Sequence, residues 1–152
     1  MVNLGGRFEF RVRFGDTDCT GRVYFLVYVR WISDAITELL RGHGISYDAS
    51  GGLFFKEVKL DETFVLGEYR CKIEKPSSFD DVIVVDIRVK EVRNRVVVFE
   101  GNLSNGVTGD KLASGEITYV CVDKSGKPTS IPELLLKALN NPRYLAKDKT
   151  SS

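Results

Sequence analysis

The sequence predicts an α+β domain in which a curved antiparallel sheet wraps one long central helix. Three features lead to this fold class: an alternating segment near the N-terminus, a strongly amphipathic segment after it, and a run of four strand-like segments. Short polar breaks separate the four segments, which suits the tight connections of an antiparallel sheet. With 152 residues, 43% of them hydrophobic, the chain is predicted to form a single domain.

The first strand is predicted over residues 7–14, where apolar and charged side chains alternate. The apolar side carries Phe8, Phe10, Val12 and Phe14, and the charged side carries Arg7, Glu9, Arg11 and Arg13. A period of two is typical of a half-buried strand. Residues 15–21 are rich in turn formers and have no apolar period, so we expect the strand to end there in a loop.

The long helix follows from an apolar period of three and four residues. Its apolar positions are Tyr28, Trp31, Ile32, Ala35, Ile36, Leu39 and Leu40. Charged and polar residues occupy the opposite side, which is the pattern of a helix packed against a core. Gly42 and Gly44 are expected to end it.

The remaining elements are four strands and a short helix. Residues 45–62 form a long connection, in which residues 53–55 are either a short strand or a hydrophobic tether. The strands are predicted over residues 63–75, 82–92, 95–104 and 111–122. Ser130 and Glu133 have the spacing of a capping box before a short amphipathic helix, which Asn140, Asn141 and Pro142 are expected to end. We expect the domain to span residues 1–145 and residues 146–152 to be a disordered tail.

Composition excludes several classes of function. The chain has 22 Lys and Arg against 21 Asp and Glu, so no overall positive field attracts it to nucleic acid or to an anionic membrane. No apolar run approaches the roughly 20 residues of a membrane helix, and no signal peptide is recognisable, so a cytoplasmic protein is expected. Three cysteines without CxxC spacing suggest free thiols, and a single histidine argues against a metal site. No P-loop or GxGxxG motif is present, so no cofactor is expected.

The first candidate site is the loop Asp16-Thr17-Asp18, between the first strand and the long helix. In one interpretation, one carboxylate caps backbone amides and the other projects into a cleft. The N–H groups at the start of the helix would then offer a site for an anion or a polarised carbonyl. In the alternative interpretation, both aspartates only cap the turn and the helix start.

Two further candidates are weaker. Arg93, Asn94 and Arg95 lie between two predicted strands, where two guanidinium groups beside an amide would suit a phosphate. When nothing else is known, an ordinary solvated hairpin is the favoured explanation of these residues. His43 directly follows the long helix, where a histidine is more often a C-terminal cap than a catalytic base.

Residues 12–31 resemble the signature of hotdog-fold thioesterases of the 4-hydroxybenzoyl-coenzyme A thioesterase type. The matching features are Asp16, Asp18 and Gly21, followed by the apolar Val23, the aromatic Tyr24 and Tyr28. Residues 75–81 are similar to the family's Pro-x-x-aromatic-x-Asp turn, and residues 127–133 to its closing Lys-Pro-x-x-Ile-Pro-Glu. The likeness therefore covers most of the chain in a consistent order.

The resemblance implies a hotdog fold and hydrolysis of an acyl-CoA thioester. It also implies a homodimer or homotetramer with active sites at the subunit interface. From the charge balance and the lack of a membrane helix, no nucleic-acid or membrane partner is expected. Asp18 matches the family's catalytic carboxylate, which acts as a general base or as a nucleophile, and partial desolvation would raise its basicity. The backbone N–H of Phe25 matches the donor that polarises the thioester carbonyl.

The expected substrate-binding residues also come from the resemblance. They are Tyr28, from the signature, and Arg93, Asn94 and Arg95, which match a basic triplet that holds the nucleotide phosphates in some members.

The sequence departs from the family pattern near the candidate site. Phe25 stands where many members have His or Tyr, Val27 where they have Asn, and Arg22 where they have an aliphatic residue. Leu26 and Val27 should make the mouth of the site apolar, which favours long-chain or aromatic acyl groups. The loss of two polar side chains also suggests an alternative function, a non-catalytic hotdog dimer that binds acyl-CoA or lipid.

Overall fold

The computed structural model describes residues 4–140. In chain order these residues form β1 (Gly5–Arg11), a 3-10 turn (Phe14–Asp16), α1 (Phe25–Gly42), β2 (Ile45–Tyr47), β3 (Leu53–Phe55), β4 (Val58–Lys59), β5 (Thr63–Ile73), β6 (Val82–Val92), β7 (Val96–Asn105), β8 (Lys111–Val122) and α2 (Glu133–Asn140). The predicted domain end at residue 145 and the predicted tail over residues 146–152 lie outside the described residues.

The main sheet has five antiparallel strands in the order β1-β6-β7-β8-β5, and α1 packs against all five. This arrangement confirms the α+β class with one central helix. The predicted strand 82–92 is β6, which lies between β1 and β7 and is therefore no edge strand. β5 ends at Ile73, two residues before the predicted end, because the N–H groups of Glu74 and Lys75 share one acceptor, the carbonyl of Leu112.

The first strand is shifted from its predicted position. β1 runs from Gly5 to Arg11, and its pairing with β6 ends where Arg11 meets Val82, the first residue of β6. Beyond that point the chain turns into the 3-10 helix, and Phe14 is 81% exposed although the alternation placed it on the buried side. The alternation of apolar and charged residues thus continues beyond the last residue of β1 that pairs with β6.

The connection over residues 45–62 contains a small antiparallel sheet in the order β2-β3-β4. Leu53 and Phe55 are buried and Ile45 pairs with Phe55. Of the two alternatives for residues 53–55, the short strand is therefore the one observed.

The apolar face predicted for α1 is buried as expected. Its buried residues are Val27, Tyr28, Trp31, Ile32, Ala35, Ile36, Leu39 and Leu40. At the centre of the sheet two paired glycines, Gly101 on β7 and Gly115 on β8, face the side chain of Ile32. A Cβ atom at Gly115 would lie 2.9 Å from Ile32 Cδ1, so these glycines permit the helix to approach the strands closely.

α2 confirms the short helix, but the capping box is wrong. The helix begins at Glu133, and the carbonyl of Pro132 accepts the N–H groups of Leu135 and Leu136. Glu133 is thus the first helical residue rather than the third, which a cap at Ser130 would require. Neither of the two helices in the described chain is long and apolar enough to cross a membrane.

Candidate active site

The loop between β1 and α1 folds back on itself as a narrow antiparallel ribbon, residues 16–24. Thr17 pairs with Val23. The Tyr24 N–H donates to the carbonyl of Asp16 at 2.8 Å, and the Asp18 N–H donates to the carbonyl of Arg22 at 2.8 Å. Main-chain hydrogen bonds therefore close the ribbon.

Asp18 lies near the tip of the ribbon with an exposed carboxylate. Its Oδ1 accepts hydrogen bonds from the Thr20 N–H at 2.8 Å and the Thr20 hydroxyl at 2.5 Å. These bonds to Thr20 hold the pKa of Asp18 below its usual value, with a smaller contribution from the charge of Arg22. The expected desolvation of this carboxylate is thus wrong for the single protomer, in which Asp18 is exposed and readily ionised.

The turn at Asp18 is not unusual by itself. Asp48 accepts from the N–H and hydroxyl of Ser50 at 2.9 and 2.7 Å, and Asp123 does the same with Ser125 at 2.8 and 2.6 Å. Such Asx turns stabilise loops wherever they occur. What distinguishes Asp18 is its position in the ribbon that leads into the N-terminus of α1.

Asp16 is the buried member of the aspartate pair, with 5% of its surface exposed. Its Oδ2 accepts the Arg13 N–H at 2.9 Å, and its Oδ1 lies 2.5 Å from Nη2 of Arg30. Burial acts to raise the pKa of Asp16, but the hydrogen bonds from Arg30 and Arg13 outweigh it and hold the pKa below its usual value. Both carboxylates accept a backbone N–H, that of Arg13 for Asp16 and that of Thr20 for Asp18, and only Asp18 is exposed. A catalytic role for Asp18 beyond capping stays a prediction.

The first turn of α1 presents a backbone donor. The helix begins at Phe25 without a side-chain cap, and within residues 4–140 the Phe25 N–H has no hydrogen-bond acceptor. Uncapped N–H groups give a helix N-terminus a partial positive charge. Phe25 is 57% exposed, and its ring lies 4.7 Å from the ring of Tyr24, measured between centroids. The helix therefore begins at an exposed residue flanked by aromatic surface.

Tyr28 is placed in the core rather than at a surface that a substrate could reach. It is 1% exposed, and its hydroxyl accepts the Ser77 N–H at 3.1 Å. The carbonyl of Ser77 in turn accepts the Val23 N–H at 2.9 Å. Tyr28 therefore supports the ribbon through Ser77. The helical period, which puts Tyr28 on the buried face of α1, already indicated this placement.

Of the two residues expected to make the site apolar, Leu26 is exposed and Val27 is not. Val27 lies on the buried face of α1, so it does not line the mouth of the site. Leu26 is exposed, as are Phe14 and Phe79. Phe79 follows Ser78, which pairs with Arg22 of the ribbon. Exposed aromatic side chains thus flank the ribbon on both sides.

The hairpin between β6 and β7 contains the three residues of the predicted phosphate site. The guanidinium of Arg93 is paired with Glu91 at 2.8 and 3.0 Å, whereas that of Arg95 has no acidic partner within the described chain. The carbonyl of Asn94 accepts the Ile131 N–H at 2.8 Å, which anchors the hairpin to the segment before α2. Only Arg95 therefore offers an uncommitted cation.

The remaining candidates take structural positions. His43 is the C-terminal cap residue of α1. The cysteines are free thiols as predicted, with Cys19 exposed, Cys71 half-buried and Cys121 buried. Among the described residues no group of three His, Cys, Asp or Glu side chains could hold a metal ion.

The ionisation of Asp18 can be tested through Thr20. Thr20→Val removes the hydroxyl donor, so the pKa of Asp18 should rise toward its usual value. If the carboxylate is the active form, activity is lost as the pH falls through this pKa, and the acid limb of the kcat/KM profile should move to higher pH. Ser125→Ala removes the equivalent donor from Asp123 and should leave the profile unchanged. An unmoved acid limb in Thr20→Val would contradict the assignment.

The chain is similar to proteins of known family. A model of the thioesterase-like superfamily matches residues 12–139. The acyl-CoA thioester hydrolase YbgC of Escherichia coli O6:H1 is 30% identical over 131 residues, 86% of this chain and 92% of that protein. The acyl-CoA thioesterase YbgC of Haemophilus influenzae is 27% identical over 145 residues, 93% of this chain and 98% of that protein.

A solved structure has the same fold. The 1,4-dihydroxy-2-naphthoyl-CoA thioesterase from Synechocystis superposes with a TM-score of 0.78 at 19% identity, covering 89% of this chain and 95% of that one. At this identity the likeness concerns the fold alone.

Proposed function

Because this chain belongs to the thioesterase-like superfamily, we propose that it is an acyl-CoA thioesterase that hydrolyses a thioester to a free acid and coenzyme A. The hotdog fold expected from the sequence is confirmed by the sheet order, the central helix and the structural likeness. Activity on acyl-CoA is supported by relatives that are 30% and 27% identical to this chain.

One observation carries the proposal for the site. The ribbon joins an exposed carboxylate, that of Asp18, to the Phe25 N–H, a backbone donor that has no acceptor within residues 4–140. A thioester carbonyl oxygen would accept from Phe25, which stabilises the negative charge that develops on that oxygen. The carbonyl carbon would then be attacked with the help of Asp18.

Asp18 can act by either of two balanced routes. As a nucleophile, its Oδ bonds to the carbonyl carbon, the C–S bond breaks to release coenzyme A as its thiolate, and water hydrolyses the resulting anhydride, which restores the Asp18 carboxylate and supplies the proton for the thiolate. As a general base, it takes a proton from water, the hydroxide attacks, and the proton passes to the leaving thiolate. Rapid quenching followed by intact-mass measurement separates them, because an acyl adduct forms only on the first route.

The acyl group is proposed to be aromatic or long-chain. The side chains exposed beside the ribbon are Phe14, Tyr24, Phe25, Leu26 and Phe79. Apolar and aromatic surfaces of this kind favour apolar ligands, since burying them removes hydrocarbon from water. Small polar acyl groups would gain little from such a surface.

The nucleotide of coenzyme A is proposed to bind at the hairpin, chiefly through Arg95. Arg95→Ala should raise KM roughly fivefold, equivalent to about 1 kcal/mol. Arg93→Ala is the matched control, because Glu91 already neutralises its guanidinium, and it should have the smaller effect. Titration of KM against salt checks the charge dependence, which Arg95→Ala should weaken. Equal KM values for wild type and both variants would assign these arginines to an ordinary hairpin.

The proposed assembly is a homodimer or homotetramer with active sites between subunits. β5 is an edge strand of 11 residues, and Leu66, Tyr69 and Ile73 along it are exposed. Tyr69 and Ile73 pair with Ile117 and Ala113, which face α1, so this exposed strip lies on the concave side of the sheet. A long apolar edge strand invites pairing with another chain. A second subunit on β5 would therefore cover the strip beside α1.

The function is tested by following thiol release from a panel of acyl-CoA thioesters, with molar mass measured by light scattering on the same samples. We expect release to be fastest for aromatic or long-chain acyl groups and to come from a species of at least two chains. Saturable acyl-CoA binding without thiol release across the panel would favour the alternative function, a binding protein. Full activity in a monomeric species would contradict the shared site.

A further inference from the structure

Two polar residues are buried among the described residues, Asp16 and Ser77, and both hold the ribbon. A carboxylate is costly to bury unless it is paired and hydrogen-bonded. Asp16 meets this requirement through the Arg13 N–H and the guanidinium of Arg30 on α1. The carboxylate of this ion pair is therefore buried, whereas the Arg30 side chain that pairs with it is about half exposed.

The contact between Asp16 and Arg30 joins two elements that carry the proposed chemistry. The side chain of Asp16 is held by α1 through Arg30, while its carbonyl accepts the N–H of Tyr24, the residue before Phe25. Asp18 follows two residues later on the same strand of the ribbon, where its N–H is fixed to Arg22. One residue thus connects the base of the ribbon both to the helix body and to the helix start.

Arg30 has a second acidic neighbour, but the geometry favours Asp16. The Nε of Arg30 lies 3.9 Å from Asp34, one turn along the helix, and both side chains are about half exposed. The contact with Asp16 is 2.5 Å long and its acceptor is buried. Charged hydrogen bonds that are short and shielded from water are the strong ones.

We propose that Asp16 and Arg30 are positioning residues, whose ion pair holds the ribbon on α1 and fixes the Asp18 carboxylate relative to the Phe25 N–H. This inference deepens the proposed function and rests on it for its kinetic readout alone. Its structural readout, exchange of ribbon amides, is independent of any activity.

The test compares Arg30→Met, Arg30→Lys and the double variant Asp16→Asn/Arg30→Met with wild type. Arg30→Met should lower kcat about 10- to 100-fold, because small misplacement of reacting groups has effects of this size. KM should stay within about twofold, since substrate contacts are unchanged. Arg30→Lys keeps the charge and should recover part of the loss. Amide hydrogen exchange over residues 17–26, which include the Asp18 and Tyr24 amides, should become faster in Arg30→Met.

The double variant separates positioning from stability. It removes both charges, so no unpaired carboxylate is left buried and the fold should be recovered even if Arg30→Met folds poorly. A stable double variant that still has a low kcat and fast exchange supports the proposal. Arg7→Met, which breaks the exposed pair between Arg7 and Asp86 on β1 and β6, should leave kcat and ribbon exchange unchanged.

Three outcomes decide the matter. Wild-type kcat in the stable double variant would overturn the positioning role. Reduced kcat with wild-type exchange over residues 17–26 would also overturn it, since the ribbon would then not depend on the pair. A wild type that releases no thiol would refute the proposed function, and the exchange measurement would still confirm or overturn the structural tie.

Discussion

Asp18→Asn is expected to lower kcat for acyl-CoA hydrolysis about a thousandfold, within the range found for general bases and nucleophiles. Asparagine has nearly the same shape and its side-chain carbonyl can still accept the Thr20 hydrogen bonds, so the ribbon should keep its conformation. What it lacks is a charge that can attack a carbonyl or take a proton from water. The measurement is thiol release under saturating substrate, with a thermal melt to verify the fold.

Asp123→Asn is the matched control for this substitution. Asp123 has the same Asx turn, with Ser125 in the place of Thr20, but it lies at the end of β8 away from α1. We expect wild-type activity from it. Equal kcat for wild type and Asp18→Asn would rule out Asp18 as the catalytic carboxylate.

Gly115→Ala is expected to cause the largest loss of stability, about 2–3 kcal/mol, at the upper end of overpacking effects. The added Cβ would lie 2.7 Å from the Arg70 carbonyl and 2.9 Å from Ile32 Cδ1. The carbonyl belongs to the paired strand β5 and cannot move without breaking the ladder. For a chain of this size the melting temperature should fall by about 6–9 °C, which calorimetry measures.

Gly42→Ala serves as the control for added volume. A Cβ at Gly42, the last residue of α1, would meet nothing within 4 Å. Alanine also has the higher helix propensity, so the melting temperature should stay the same or rise slightly. A Gly115→Ala variant as stable as wild type would show that α1 can move away from the sheet at little cost.

Most of the fold could be predicted because its signals are local. The apolar period of α1 and the alternation along the strands can be recognised within short stretches of sequence. β6 and β8 have the predicted limits. Phe14 shows where this fails: its place in the alternation is correct, but the partner strand begins at Val82 and leaves it nothing to pair with. The end of a strand depends on a segment about 70 residues away, which no local pattern records.

The sequence identified the loop that carries the candidate site, but it did not show which of its like residues would be buried or paired. Asp16 and Asp18 look equivalent in sequence, and only Arg30, on the next element, makes one of them a buried ion-pair partner. Likewise Glu91 forms an ion pair with Arg93, whereas Arg95 has no acidic partner within the described chain. In both cases the choice between two like residues is made by a third side chain that the motif does not include.

The backbone closure of the ribbon determines which of its side chains can be substituted. Its closing bonds join backbone atoms of residues 16–18 to those of residues 22–24, so its shape places few demands on the side chains between them. Gly21, with a φ of +78°, is the exception. Cys19 and Arg22 are exposed there and can be exchanged without rebuilding the scaffold. Substitutions at these exposed positions, natural or designed, can therefore change substrate preference while Asp18 and the Phe25 N–H keep their positions.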